Sequence, residues 1–452
     1  MSRFVRGFVL ALAGVIGLGV AAHAKDMTLD DCIELALKNR ASIIAARGAA
    51  DLAKMGQTAA LGAFLPHASA SWSSITSQAN SQHVSVVASD STLSYDLPDT
   101  KRTNTQFNIG ANWGFSLPDA LFDYMTARTN RQAAQLDVIG SEQDLILAVK
   151  QAYYAYLASV QNQTVSEDAV KRSEEQLKLI QSRFDLGSAA KSDVLTQKVL
   201  YGNDQLALLQ AKNAVTNDKA TLAYTVGLDP AQEQSFDTTF VTRQSEGTLD
   251  EAIKFGMEHK PSLLAMEKSL QSSKTVMNKA WSDYLPKIGP TASYGYDWSK
   301  SSGKVNRAVV PPPIYVDQVT TSHLTSLTYG IQASWNLFDG FSRELNVTSA
   351  KVARNNANAQ LADARNLVSS QIKTAYLNIQ QYKEQKNVAQ TNVDAATENL
   401  KISQEKYNLG AATILDLLNA QVSLRQAQVS LIQADFDLNL AISGLENAMG
   451  KM

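Results

Sequence analysis

The sequence predicts a mainly α-helical chain with a transmembrane β-barrel, built from one unit used twice. Three observations predict it. Prolines are absent between Pro118 and Pro230 and after Pro313. Since proline inside a helix costs several kcal/mol, both stretches are free to be long helices. Ahead of each stretch the apolar period switches to two, the period of a strand. Finally, segments recur in the same order at offsets of 220 to 223 residues.

The bulk properties narrow the class. The chain has 452 residues, with 41 basic against 43 acidic. There is no basic footprint, so nucleic acid is not an expected partner. Arg3 and Arg6 precede the apolar run GFVLALAGVIGLGVAA, and Ala22-His23-Ala24 gives small residues at a cleavage site. Residues 1–24 therefore read as a secretory signal peptide, with the mature chain starting near Lys25. The sole cysteine, Cys32, lies on the apolar face of TLDDCIELALKN and reads as a core residue. No later stretch is apolar enough for a membrane-spanning helix. A soluble exported protein and an outer-membrane barrel both remain open.

Internal repetition organises the chain. TLDDCIELALKN (28–39) matches TLDEAIKFGMEH (248–259), and Leu65-Pro66 matches Leu285-Pro286, both at an offset of 220. VKQAYYAYL (149–157) matches IKTAYLNIQ (372–380), and Gly227 matches Gly450, at an offset of 223. The first repeat is read as 25–247: helix 28–62, strands about 67–77 and 105–117, helical hairpin 119–226 and collar 227–247. The second is read as 248–452: helix 248–283, strands about 288–299 and 326–337, and hairpin 342–449. Thr28 and Thr248 are candidate caps for the opening helices, with acidic residues in the first turn. Pro66 and Pro286 mark the helix–strand transitions.

Each strand alternates. In TQFNIGANWGFSLP, Phe107, Ile109, Ala111, Trp113, Phe115 and Leu117 share one face, and Asn108, Gly110, Asn112, Gly114 and Ser116 the other. IGPTASYGYDWS and SLTYGIQASWNL alternate likewise, and HASASWSSI does so more weakly. The pattern fits a half-buried soluble sheet, or a barrel with lipid outside and water inside. Trp72, Trp113, Tyr294, Trp298 and Trp335 are candidates for a membrane-interface belt. Four strands cannot close a barrel, so the barrel reading demands oligomerisation, and three chains would supply twelve strands. The polar stretches 78–104 and 299–325 read as external loops.

The uninterrupted helices could each reach about 95 Å, and the return helices about 55 Å. A short return helix stacked end to end on a short opening helix would match one long helix, giving a helical cylinder. Val170, Ser173, Leu177, Ile180 and Phe184 form a coiled-coil seam, with Val199, Gly202, Leu206 and Leu209 on the return side. The second repeat carries the same spacing. Between the arms lie RFDLGSAAKSDVLTQK (183–198) and its echo KYNLGAATILDLLNAQ (406–421). Gly187 and Gly410 stop the long helices as left-handed caps. Ser192 and Thr413 are candidate caps for the helices that return.

The two-fold repeat, the Leu-Pro step into strands, the W-x-L-F-D-G step back into helix and the Y-x-L-G-x5-D-L-L-x-A-Q turn together resemble the TolC-type outer-membrane efflux proteins. The resemblance covers residues 25–452. It implies a homotrimeric channel-tunnel in the outer membrane, a 12-stranded barrel on a 12-helix periplasmic cylinder, contacting outer-membrane lipid. The implied partners are a periplasmic adaptor and an inner-membrane pump or ABC transporter. It places Asp416 at the periplasmic entrance, with Asn419 at a position acidic in other members and Asp193 as the first-repeat counterpart. A gating arginine of some members is Ala412 here, with Lys191 as a nearby substitute. A ring of three Asp416 carboxylates would favour cations and raise the group's pKa if water is scarce. Gly187, Ser188, Gly410, Ala411 and Ala412 are the implied tip turns and adaptor-docking residues. The function implied is a passive exit duct for efflux or type I secretion. The alternative is an exported coiled-coil adaptor or adhesin without a barrel. The five histidines are scattered, no metal-ligand spacing appears, and there is no phosphate-binding glycine loop, so neither an enzyme, a metal site nor a cofactor is expected.

Overall fold

The computed structural model describes residues 26–80, 82–88, 91–97, 99–239, 247–306 and 314–452. The stretch read as a signal peptide, part of the expected collar and residues 307–313 of the second expected loop lie outside the described residues.

The opening helix of each repeat is two helices. In the first, α1 (Leu29–Asn39) and α2 (Ala41–Gly62) meet at Arg40, which is extended with ψ 129°. In the second, α5 (Leu249–His259) and α6 (Pro261–Ser282) meet at Lys260. A residue before proline is pushed out of the helical region, which explains the break at Lys260. At Arg40 a tertiary contact accompanies the break: its guanidinium donates to the Tyr224 carbonyl and lies 4.6 Å from the Tyr224 ring. Thr28 and Thr248 cap as expected. Each hydroxyl accepts the N–H of the third helical residue, Asp31 or Glu251, whose carboxylate accepts the threonine N–H in return.

The strands are β1 (His67–Ala79), β2 (Gln82–Ala88), β3 (Ser91–Leu97), β4 (Thr100–Gly114), β5 (Lys287–Asn306) and β6 (Tyr315–Ser334). One antiparallel sheet has the order β1-β4-β5-β6, and β2 and β3 pair separately as a hairpin. The stretches expected to be loops are thus largely strand. Leu117, expected to end a strand, instead opens α3 (Leu117–Asp185). The remaining helices are α4 (Lys191–Val226), α7 (Ser342–Asn408) and α8 (Ile414–Met449). α3 and α7 have 69 and 67 residues, about 100 Å each at 1.5 Å per residue.

Contacts group the chain into two compact units. Among the described residues, one comprises 26–40, 144–239 and 375–445. Within it the start of the collar is pinned. Met27 bridges Phe236 in parallel, and the Phe236 ring packs edge-on against Tyr156 at 5.7 Å. The Tyr153 hydroxyl donates to the Asp237 carbonyl at 2.7 Å. Cys32 is fully buried, and that burial pushes its thiol pKa up to about 12, as suits an inert core residue.

The other unit comprises residues 41–143, 247–374 and 446–452. Leu263, Leu270 and Leu361 form one cluster and Ala280, Val347 and Ala350 another. Gly450, at the end of α8, has φ +74° and lies so close to Lys260 that an added Cβ would stand 2.8 Å from its Cα. The end of α8 therefore abuts the break between α5 and α6, rather than the start of the opening helix.

Candidate functional site

Two features carry functional information, the sheet faces and the hairpin turns.

Register assigns every strand residue to a face, because successive side chains alternate. Trp72, Phe107, Trp298 and His323 form one cross-strand row. The next rows on that face are Ala70–Ile109–Tyr296–Thr325, then Ala68–Ala111–Tyr294–Leu327, then Trp113–Ala292–Tyr329. Pro290–Ile331 and Ile288–Ala333 complete the band. The opposite face reads Ser69–Gly110–Gly295–Ser326, Ser71–Asn108–Asp297–Leu324 and Ser73–Gln106–Ser299–Ser322. One face is apolar and the other small and polar. From Ile288 to Trp298 the band runs roughly 33 Å along the strand, which becomes about 25 Å at a tilt near 40°.

Trp72 and Trp298 stand at one edge of the band. Trp113 and Trp335 stand at the helix-side ends of their strands and fasten the junctions. The Trp113 indole donates to the Phe64 carbonyl at 2.9 Å and the Trp335 indole to the Tyr284 carbonyl at 3.3 Å. Pro66 and Pro286 immediately precede β1 and β5, and Lys287 ties the second junction to Asp119 and Asp283 at 2.9 Å each. Tyr294 falls within the band rather than at its edge.

The two turns use the same backbone solution. Gly187 has φ +77° and donates to Phe184, while Ser188 N–H reaches back to the Arg183 carbonyl at 2.8 Å. Gly410 has φ +72° and donates to Tyr407, while Ala411 N–H reaches back to Lys406 at 2.8 Å. Glycine tolerates this left-handed conformation without the Cβ clash other residues suffer. The leucine before each glycine, Leu186 and Leu409, is 84% and 83% exposed. Ala412 is half-buried.

The helices that return start differently. Thr413 caps α8: its hydroxyl accepts the Asp416 N–H at 3.3 Å, and the Asp416 carboxylate accepts Thr413 N–H and O–H at 2.9 and 2.7 Å. Ser192, by contrast, lies inside α4, whose N-cap Ala190 makes no side-chain bond. Within the chain the Asp416 pKa is lowered, chiefly by the Thr413 hydroxyl. Asp416 and Asn419 are exposed one turn apart on α8, and Lys191 is exposed and forms no ion pair among the described residues.

Several side chains at this end went unassigned in the sequence. Arg183 donates to Asn408 Oδ1 at 3.0 Å and lies 5.6 Å from the Tyr407 ring, joining the two long helices near their turns. Burial raises the Tyr407 pKa, with Asp193 adding to the shift. Arg425 of α8 pairs with Asp204 of α4 at 2.5 Å, and Asp204 is buried. The matching position to Arg425 in the first repeat is Gly202, so repeat comparison gave no signal for an ion pair. Val199, Leu206 and Leu209, expected in the hairpin seam, are 64%, 60% and 57% exposed, while Gln197 and Asp204 are buried instead.

The outer membrane efflux protein family model matches residues 32–228 and 256–451. The chain belongs to that family. It is 24% identical over 375 residues to the outer membrane efflux protein BepC of Brucella suis biovar 1, covering 80% of this chain and 76% of that one. It is 23% identical to the alkaline protease secretion protein AprF of Pseudomonas aeruginosa, over 71% of this chain and 66% of that one. The Campylobacter jejuni CmeC outer membrane channel superposes with a TM-score of 0.72 at 15% identity, covering 94% of this chain and 85% of that one. That likeness shows the fold. The family places the protein in the outer membrane, and it is a family of efflux proteins rather than of enzymes.

Two predictions follow from the turns. The Asp416 pKa is lower in the folded turn than in an unfolded chain. Its contribution is therefore complete above about pH 4 and disappears as pH falls through the depressed folded value. Pepsin cleavage of the 410–416 turn should rise below about pH 4 in the wild type and stay flat in Asp416→Asn. Arg425→Met would leave Asp204 buried without its cation, which costs about 3–5 kcal/mol. Thermal unfolding should show that loss, and Asp204→Leu with Arg425→Met should recover most of it.

Proposed function

We propose that the protein is the passive outer-membrane exit duct of a tripartite efflux pump or type I secretion system. Three copies close one barrel from their four-stranded sheets, with the apolar band toward lipid and the polar face toward a water-filled lumen. The two-faced sheet register carries this reading. A soluble coiled-coil adaptor has no use for a band of bilayer height flanked by tryptophans. Among the described residues, the outermost strands, β1 and β6, each have a single neighbour in the sheet. An open edge is not tolerated in hydrocarbon, which supports closure by further copies. The exposed stripe Leu195, Val199, Leu206 and Leu209 on α4 supports packing of helices between copies.

The hairpin turns are the gate and the surface met by a periplasmic adaptor and its inner-membrane pump or ABC transporter. Leu186 and Leu409 offer apolar contacts there, and Asp416, Asn419 and Asp193 set the charge of the entrance. Opening is a population shift: an adaptor that binds the splayed hairpins better than the packed ones moves the equilibrium by that difference in affinity. Energy comes from the pump, so the duct needs neither catalysis nor cofactor. Lys191 substitutes for a gating arginine only if it finds an acidic partner on another copy.

Single-channel recording in planar bilayers tests the reading. We expect cation-selective currents that divalent cations on the turn side block, with block lost in Asp416→Ala. Currents unchanged in Asp416→Ala would remove the entrance assignment and keep the duct. A protein that opens no channel would remove the duct.

A further inference from the structure

The apolar face does not end where the strands end. All four strands continue for three more rows beyond the Trp72–Trp298 row, and both faces there are largely polar, with Val319 and Ile75 the apolar exceptions. On the face that carries the band, the first of these rows is Ser74–Thr105–Lys300–Thr321 and the second Thr76–Thr103–Ser302–Val319. The third holds Gln78 opposite Lys101, and Lys304 opposite Asp317. Lys101 and Lys304 directly follow the registered pair Arg102–Gly303. All three lysines are exposed, and none forms an ion pair among the described residues. The helix-side rim differs: there Lys287 is held by Asp119 and Asp283 and Lys279 by Asp123.

With Asp317 the sole acid in these rows, the outward face keeps a net charge of two per chain, three lysines less one aspartate. Lys300 stands about 7 Å along the strand beyond Trp298, and Lys304 about 20 Å beyond it. Cations at two depths above an aromatic edge match anions at two depths, not a thin zwitterionic headgroup layer. We propose that Lys101, Lys300 and Lys304 bind the phosphoryl and carboxylate groups of anionic glycolipid headgroups in the outer leaflet. The proposal rests on the membrane reading of the apolar band, since that reading makes this face the outward one.

The test measures lipopolysaccharide carried by purified, detergent-solubilised protein through size exclusion, beside the same lipid stripped of its phosphates. Wild type should retain the phosphorylated lipid preferentially. K101Q/K300Q/K304Q should retain at least about tenfold less, since each basic residue near an anionic surface contributes appreciably. K101R/K300R/K304R should retain as much as wild type, which separates lost charge from lost folding. Equal retention by the glutamine variant, or of the stripped lipid, would overturn the proposal. So would displacement by an equal concentration of inorganic phosphate, which would mark a free-anion site. Conductance of the same preparations keeps the two readings apart. Wild-type protein that conducts but binds no lipid would overturn the lipid site alone, and protein that binds lipid but opens no channel would overturn the duct alone.

Discussion

Backbone amides at the edges of a sheet need partners, and hydrocarbon supplies none. An unsatisfied N–H or C=O there costs several kcal/mol. The sheet pairs β1, β4, β5 and β6 and leaves one side of β1 and one side of β6 to be filled. On the proposed barrel reading, the apolar band faces lipid and the polar face, with Gly110, Gly295, Asn108 and Ser299, faces water. A single chain cannot meet both conditions with two open edges. Duplication supplies two strand pairs per chain, and on the proposed reading joining copies edge to edge would supply the rest. On this account oligomerisation is a condition for the strands to sit in the membrane at all.

The turns meet a different constraint. A helix that reverses must satisfy its last carbonyls and the first N–H groups of the helix that follows. Gly187 and Gly410 solve the first problem identically, with Ser188 and Ala411 reaching back to Arg183 and Lys406. The second is solved by a side chain only in the second repeat, where Thr413 and Asp416 cap α8. Asp416 thus serves its own helix first, and its carboxylate stays charged to lower pH than usual. Between the hairpins the buried Arg425–Asp204 pair adds little net stability as a pair. Breaking it from one side is costly, which makes it a specific link between α4 and α8.

Much of this was legible. Period-two alternation located all four long strands, and Leu-Pro marked the starts of β1 and β5. The absence of proline gave the long helices, and the 223-residue offset gave both turns. The ends of the strands were not legible, because alternation shows only while one face is apolar. Past Trp298 both faces are largely polar, and Ser299–Asn306 reads as a loop although it is strand. β2 and β3 do alternate, with Val84 and Val86 opposite Tyr95 and Leu93, but they are short and lie inside a stretch whose Ser, Thr, Asn and Asp content reads as loop. The break at Lys260 was signalled by Pro261, whereas nothing local signalled the one at Arg40, where Tyr224 holds the side chain from 184 residues away. Arg183 and the Arg425–Asp204 pair escaped because they join helices distant in sequence, and pattern within one helix cannot reveal such partners.

The most direct measurement is amide hydrogen exchange of the assembled protein in lipid bilayers, resolved strand by strand. The account predicts that β1 and β6, edges in the single chain, are protected as strongly within the apolar band as β4 and β5. Free exchange along one side of β1 and β6, with β4 and β5 protected, would contradict closure by further copies and the barrel with it.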